Sequence, residues 1–267
     1  MTETVAQFVN DLRDGQALIQ AGWDDAPHMT DTVRDQILAA LPPHERKMRE
    51  QGIPQLGSGL VFPLPESQMV CDPIEIPTYW PRICGIDFGW DHPTAAAWVA
   101  WDRDSDIIYI YDTYAMSQEA VPIHASAIKS KGNWIPVIWP MDGRQADKGS
   151  GKSLTEQYRS EGVNMTREHF SNPPQQGQKE GSGGNSVEAG VQEIYTRLMT
   201  NRLKIFNNQS KLLEELRMYH RKDGKIVTKH DDVISAMRYA VMSVRKARIK
   251  DYEPVQLESD SSFNVFM

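Results

Sequence analysis

Three short runs dominate what this chain can become: "RICGIDFGW" (82–90), "TAAAWVAWD" (94–102) and "IIYIYDTYA" (107–115). Each is apolar and rich in Ile, Val, Ala or aromatic residues, and each is too short for a typical helix. They therefore read as strands, the first of them buried. The gaps between them are polar and brief, "DRDSD" (102–106) among them, so the runs are close enough to be antiparallel neighbours. The first run ends in an acid, Asp87, followed two residues later by Gly89. A carboxylate at the end of a buried strand is costly unless it has work there.

After this meander the pattern alternates. A helix is expected from an N-cap at Ser117 to a stop at Gly132. "WIPVIWPMD" (134–142) reads as a fourth strand, again ending in an aspartate, Asp142. A helix follows over 152–162, then a short strand over 163–170. Residues 171–186 are poor in apolar residues and read as a mobile segment. An amphipathic helix is expected over 187–201, a brief strand over 202–206 and a helix over 208–220. "RKDGKIVTK" (221–229) carries an Asp-Gly hairpin signal. A long helix over 231–249 has acids at its start and cations at its end, as its dipole favours. Strands interleaved with helices give an α/β fold around a mixed central sheet flanked by helices.

Residues 1–80 differ. A helix is expected over about 3–18, a second from a cap at Thr30 or Asp31 to about Ala40, and a short third over 44–51. The Pro- and Gly-rich stretch 55–81 then reads as an extended connector. The division expected is an arm over 1–80, one domain over 81–250 and a polar tail over 251–267.

The chain has 267 residues, 40% of them hydrophobic, enough for one core. It has no apolar run long enough for a membrane span and no secretory leader, which points to a soluble protein of the cytoplasm. Its two cysteines, Cys71 and Cys84, fit neither a zinc pattern nor a disulfide framework. A net charge of −7 argues against a protein that merely coats nucleic acid. It leaves room for an enzyme with acidic metal ligands and a local basic rim.

In α/β proteins chemistry gathers at strand ends. Asp87 and Asp142 end two strands that the sheet can set side by side, and Asp231 and Asp232 open the last helix. Clustered carboxylates repel and raise one another's pKa. A hard divalent cation such as Mg²⁺ removes that cost, and two such ions about 3.5–4 Å apart can activate water and stabilise the leaving oxygen of a phosphodiester. Taken singly, each acid has an ordinary reading as a turn or helix-cap residue. Together, in this order of strands and helix, they read as a site.

"GIDFGWDHPTAAAWVAWD" (85–102), "IWPMDG" (138–143) and "LLEELRMYHRKDGKIVTKHDDVISAMRYAVM" (212–242) together resemble the nuclease domain of tailed-phage terminase large subunits, the DNA-packaging motors. The upstream "WDDAPHM" and "LPPHERKMREQGIPQLGSGLVFPLPE" resemble the connector that follows the motor's ATPase domain. The resemblance implies an RNase H-like fold and cleavage of double-stranded DNA with two Mg²⁺ or Mn²⁺ ions. It implies that Asp87 and Asp142 are the first and second metal ligands. It gives the third acidic position to the pair Asp231 and Asp232, with Asp232 the direct ligand and Asp231 assisting, or the reverse. It also implies portal protein and other terminase components as partners, in the cytoplasm of the bacterial host. The isolated domain is expected to be a monomer, because no apolar stripe is left over for pairing.

Trp90, Asp91 and His92 would line the loop beside this site. Candidate DNA-backbone contacts are Lys148 and Lys152 in the loop after Asp142, and Arg221, Lys222, Lys225 and Lys229 in the hairpin. "ADKGSGKS" (146–153) imitates a phosphate loop, but Ala146 stands where that loop needs its first glycine. The motor's ATPase is therefore expected to lie outside this chain, which reads as an excised domain or as the product of a split or truncated gene. Two other readings compete: an ATPase of the actin and sugar-kinase type, which would need a second "Asp-x-Gly" half, and a non-catalytic docking module of the packaging motor.

Overall fold

The structure, a computed structural model, describes residues 17, 19, 21–26, 28–41, 46, 49–52, 59–145, 151–172, 184, 186–222 and 224–250. The helix expected over 3–18 and the tail 251–267 lie outside the described residues apart from residue 17, as do Lys148 and most of 171–186. In the amino-terminal segment, α1 spans Asp31–Ala40 with Thr30 at its N-cap. The single turn α2 (Glu66–Met69) leads into β1 (Val70–Cys71). The meander follows as β2 (Arg82–Asp87), β3 (Thr94–Asp102) and β4 (Ile107–Met116). Then come α3 (Val121–Ser130), β5 (Val137–Ile138), α4 (Leu154–Ser160), α5 (Val187–Met199) and β6 (Leu203–Phe206). The chain continues through α6 (Ser210–Met218), a two-stranded hairpin of β7 (Arg221–Lys222) and β8 (Lys225–Ile226), and α7 (Asp232–Met242).

The strand order is β1-β6-β4-β3-β2-β5 in one six-stranded sheet. The β2–β3 and β3–β4 pairs are antiparallel; β2–β5, β4–β6 and β1–β6 are parallel. This is the expected mixed sheet, with the first and fourth expected strands side by side. β1, inside the segment read as an arm, joins the sheet edge, and Val61, Phe62, Leu64 and Met69 pack into the same core.

Alternation along the central strands builds two apolar layers. Ile83, Ala95, Ala97 and Val99 face α5, α6 and α7; Cys84, Ile86, Ala96 and Trp98 face α3 and α4. Gly85 falls on the first face, beneath α7. A Cβ there would come 2.0 Å from the Ala236 carbonyl oxygen and 2.9 Å from the Ala240 nitrogen. The missing side chain is what lets the helix lie directly on the strand.

Four expected elements differ. The helix expected from Ser117 starts at Val121, because β4 runs on to Met116 and Pro122 is tolerated only in a first turn. The strand expected over 134–142 pairs only at Val137–Ile138, flanked by Pro136 and Pro140, which have no N–H for a ladder. The strand expected over 163–170 is a single parallel bridge, Val137 with Met165. α7 is also shorter than expected. Beyond Met242 a tight turn (Val244–Lys246) sends the chain back to pair Arg248 with Arg82 through two backbone hydrogen bonds, 2.7 and 3.0 Å.

Candidate active site

Asp87 is the last residue of β2, opposite Ala95 on β3, and is half-buried. On the other side of β2, parallel pairing of Gly85 with Ile138 brings Pro140 level with Asp87. There the chain leaves the sheet for a 3₁₀ turn, Met141–Arg144, which carries Asp142 on the surface. So Asp142 sits one turn beyond the strand end, not on the strand. Thr155 of α4 ties that turn down by donating its hydroxyl to the Gly143 carbonyl (2.8 Å).

α7 runs antiparallel to β2, since the chain after α7 pairs with Arg82 at the start of β2. From Gly85, Asp87 lies two residues along the strand, about 6.6 Å. From Ala236, which caps Gly85, Asp232 lies four residues back along the helix, about 6 Å. Strand and helix thus deliver Asp87 and Asp232 to the same end of the sheet. The loop between β2 and β3 closes that end. Thr94 donates to the Gly89 carbonyl (2.9 Å), and a Cβ on Gly89 would come 2.3 Å from the His92 carbonyl oxygen. The glycine after the acid is required by this tight return of its own loop.

The electrostatics report the convergence. Burial, then repulsion from Asp142, Asp232 and Asp231, pushes the Asp87 carboxyl up to about 7. Burial, then Asp232, pushes Asp231 up to about 6. Burial also raises Asp142 and Asp232. The His92 imidazole lies near enough to pull Asp231 and Asp232 back down.

Two further residues of this region were not singled out from sequence. Arg238, 4% exposed, lies in the middle of α7. Its guanidinium is 4.6 Å from the centre of the Tyr239 ring and 5.4 Å from that of Phe170, and it draws Asp87 and Asp231 downward. Gly190 on α5 makes room for its stem, since a Cβ there would meet Arg238 Cγ at 2.5 Å. The signal was present: Arg238 interrupts the apolar stripe Ile234, Met237, Val241. Glu215, 3% exposed, likewise sits on the stripe of Leu212 and Leu216 in α6.

Among the described residues no three Asp, Glu, His or Cys side chains are already drawn in at the spacing of a metal-binding group. The donor set nevertheless suits a hard cation. It is all carboxylate oxygen, it sits at one end of one sheet, and its members are raised by burial, with repulsion from the other acids added at Asp87 and Asp231, a cost that a divalent ion relieves.

Of the expected DNA contacts, Lys152 is exposed just before α4, and Lys222 and Lys225 face each other across the hairpin, both exposed, as is Lys229. Arg221 is already engaged: it makes a two-pronged ion pair with Glu188 on α5 (2.6 and 2.7 Å).

Residues 84–244 match the family described as the terminase RNaseH-like domain. The chain belongs to that family. Its terminase relatives include the large subunit of Salmonella phage P22, 39% identical over 250 residues, which are 93% of this chain and 48% of that protein. The large subunit of Enterobacteria phage LP7 is 39% identical over 243 residues, 91% of this chain and 50% of that protein. The chain spans about half the length of these curated relatives. A solved structure of the P22 large terminase nuclease domain superposes with a TM-score of 0.64 at 40% identity, covering 72% of this chain and 95% of that one. The RNase H-like fold expected from the terminase resemblance is thus the fold of this chain.

Proposed function

We propose that residues 81–250 are the nuclease of a terminase large subunit, an endonuclease that cuts double-stranded DNA during phage genome packaging. In this reading residues 1–80 are the connector that follows the motor's ATPase domain, its last part, from Leu60 through β1, built into the nuclease core and sheet edge, and 251–267 are the tail. The single observation that carries the activity is the convergence of Asp87, Asp142, Asp231 and Asp232 at one end of the sheet, where burial first, and then repulsion from the other three acids, lifts Asp87 to about 7. Carboxyls perturbed together at one sheet edge are the mark of a functional site. The family membership and the likeness to the P22 nuclease domain support the same reading.

Asp87, Asp142 and Asp232 would hold the metal, with Asp231 assisting. Two Mg²⁺ or Mn²⁺ ions, when bound, lower the pKa of the attacking water and stabilise the leaving 3′ oxygen. The chain's own contribution is position. β2 fixes Asp87, the turn held by Thr155 presents Asp142, and α7 presents Asp231 and Asp232. Arg238 tempers the cluster's charge from beneath. Lys148, Lys152, Lys222, Lys225 and Lys229 would meet the DNA backbone, which positions without reading sequence. Arg221 joins them only by giving up Glu188.

Portal protein and other terminase components are the proposed partners, and the host cytoplasm the proposed setting. Among the described residues no helix is long and apolar enough to cross a membrane.

The test is nicking of supercoiled plasmid with Mn²⁺ or Mg²⁺, with EDTA as control, for the wild type and Asp87→Ala. Metal-dependent nicking that drops by at least about 10³-fold in the variant is the expected result. Intact plasmid at high protein concentration, with portal binding retained, would replace this reading by the docking module.

A further inference from the structure

Paired aspartates at a helix start ordinarily cap that helix, the N-cap side chain accepting from the N2 and N3 amides. In α7 the N-cap residue is Asp231, and its side chain makes no such bond. The N2 and N3 amides, Val233 and Ile234, instead donate to one oxygen of Glu215, Oε2, at 2.9 and 3.0 Å. Glu215 comes from α6, is 3% exposed, and has no other hydrogen-bond partner for Oε1. One buried side chain from a neighbouring helix has taken over the bonds that Asp231 would make.

We propose that Glu215 is a positioning residue for the acidic site: it caps α7 in place of Asp231, so that the oxygens of Asp231 and Asp232 remain available to a divalent cation. The proposal rests on the nuclease reading above for the cation and on this hydrogen-bond geometry for the cap. With Glu215 removed, the two amides have no protein acceptor, and Asp231 is the nearest replacement. Its carboxylate would then turn inward to its own helix and away from the cation. An acceptor oxygen at this point is sufficient; a negative charge is not required. Glutamine therefore serves where alanine does not.

The test compares Mn²⁺ binding by calorimetry in wild type, Glu215→Ala, Glu215→Gln and Leu213→Ala, each shown to be folded by circular dichroism at the titration temperature. Leu213 is a buried apolar residue of α6 and controls for reduced stability alone. The expected result is a Kd roughly 10–100-fold weaker in E215A, as for other residues that orient metal ligands. E215Q should stay close to wild type, and L213A should melt earlier with its Kd unchanged. Hydrogen exchange at Val233 and Ile234 should accelerate in E215A and remain slow in E215Q. A folded E215A with wild-type Kd overturns the proposal. So does an E215Q as defective as E215A, which would make the carboxylate itself a ligand. Should E215A not fold, Glu215→Asp replaces it: retracting the acceptor by one methylene should also weaken Mn²⁺ binding, and wild-type affinity there overturns the proposal. A wild type that binds no Mn²⁺ overturns the nuclease reading, whereas a wild type that binds beside an unaffected E215A overturns the cap's role alone.

Discussion

At the scale of single residues, the acids work against the fold that holds them. Asp87 at about 7, Asp231 at about 6 and Glu215 at about 8 all lie above their ordinary values, so the folded chain holds these protons more tightly than the unfolded chain. Stability from these groups is therefore present at low pH and is lost as pH rises from about 4 through about 8. The carboxyls shifted the other way, Asp106, Glu156 and Glu188, act in the acid range below their ordinary values. Burial pushes the His124 imidazole down, so that group adds stability as pH rises toward about 6.5. Above that pH the acids act alone, and we expect the melting temperature in EDTA to fall between pH 7 and 8, and added Mn²⁺ to raise it more at pH 8 than at pH 6. A Tm in EDTA that climbs over that range would contradict the assignment. Asp87→Asn should likewise raise the EDTA melting temperature at pH 8 while abolishing metal-dependent nicking, a trade of function for stability.

Among elements, the packing of α7 on β2 sets the site. Gly85→Ala puts a methyl where the Ala236 carbonyl stands, so α7 must shift. We expect a loss of about 1–3 kcal/mol in chemical denaturation and weaker Mn²⁺ binding, although residue 85 touches no metal. The strands of this layer were legible because residues 82–115 alternate or run apolar between polar turns. Asp87, Asp142 and the pair Asp231-Asp232 were legible because an acid at an apolar strand end or helix start stands out. What the sequence left unread depends on contacts between distant segments. The single bridge at Met165 is made only where Val137 happens to pass. β4 overran the expected cap at Ser117 because its pairing with β3 reaches Met116. Arg238 and Glu215 stand on apolar helix stripes, but what each of them touches is set by the packing of α5, α6 and the sheet around them.

Over the whole molecule, a net charge of −7 means that DNA, under the proposed function, would be held at few points. Double replacement of Lys222 and Lys225 by Ala should lower the salt dependence of plasmid binding by about 0.9 for each phosphate no longer neutralised, with no change in metal affinity. An unchanged salt slope would remove the hairpin from the DNA path. Under the proposed function β2, the turn after β5 and the start of α7 together make one cation cradle. Anomalous diffraction from crystals soaked in Mn²⁺ tests it most directly. Two peaks about 3.5–4 Å apart, both at coordination distance from Asp87 and shared with Asp142 and the Asp231-Asp232 pair, are the predicted result. Peaks that ignore Asp87, or that fall at separate carboxylates with no common centre, would contradict it.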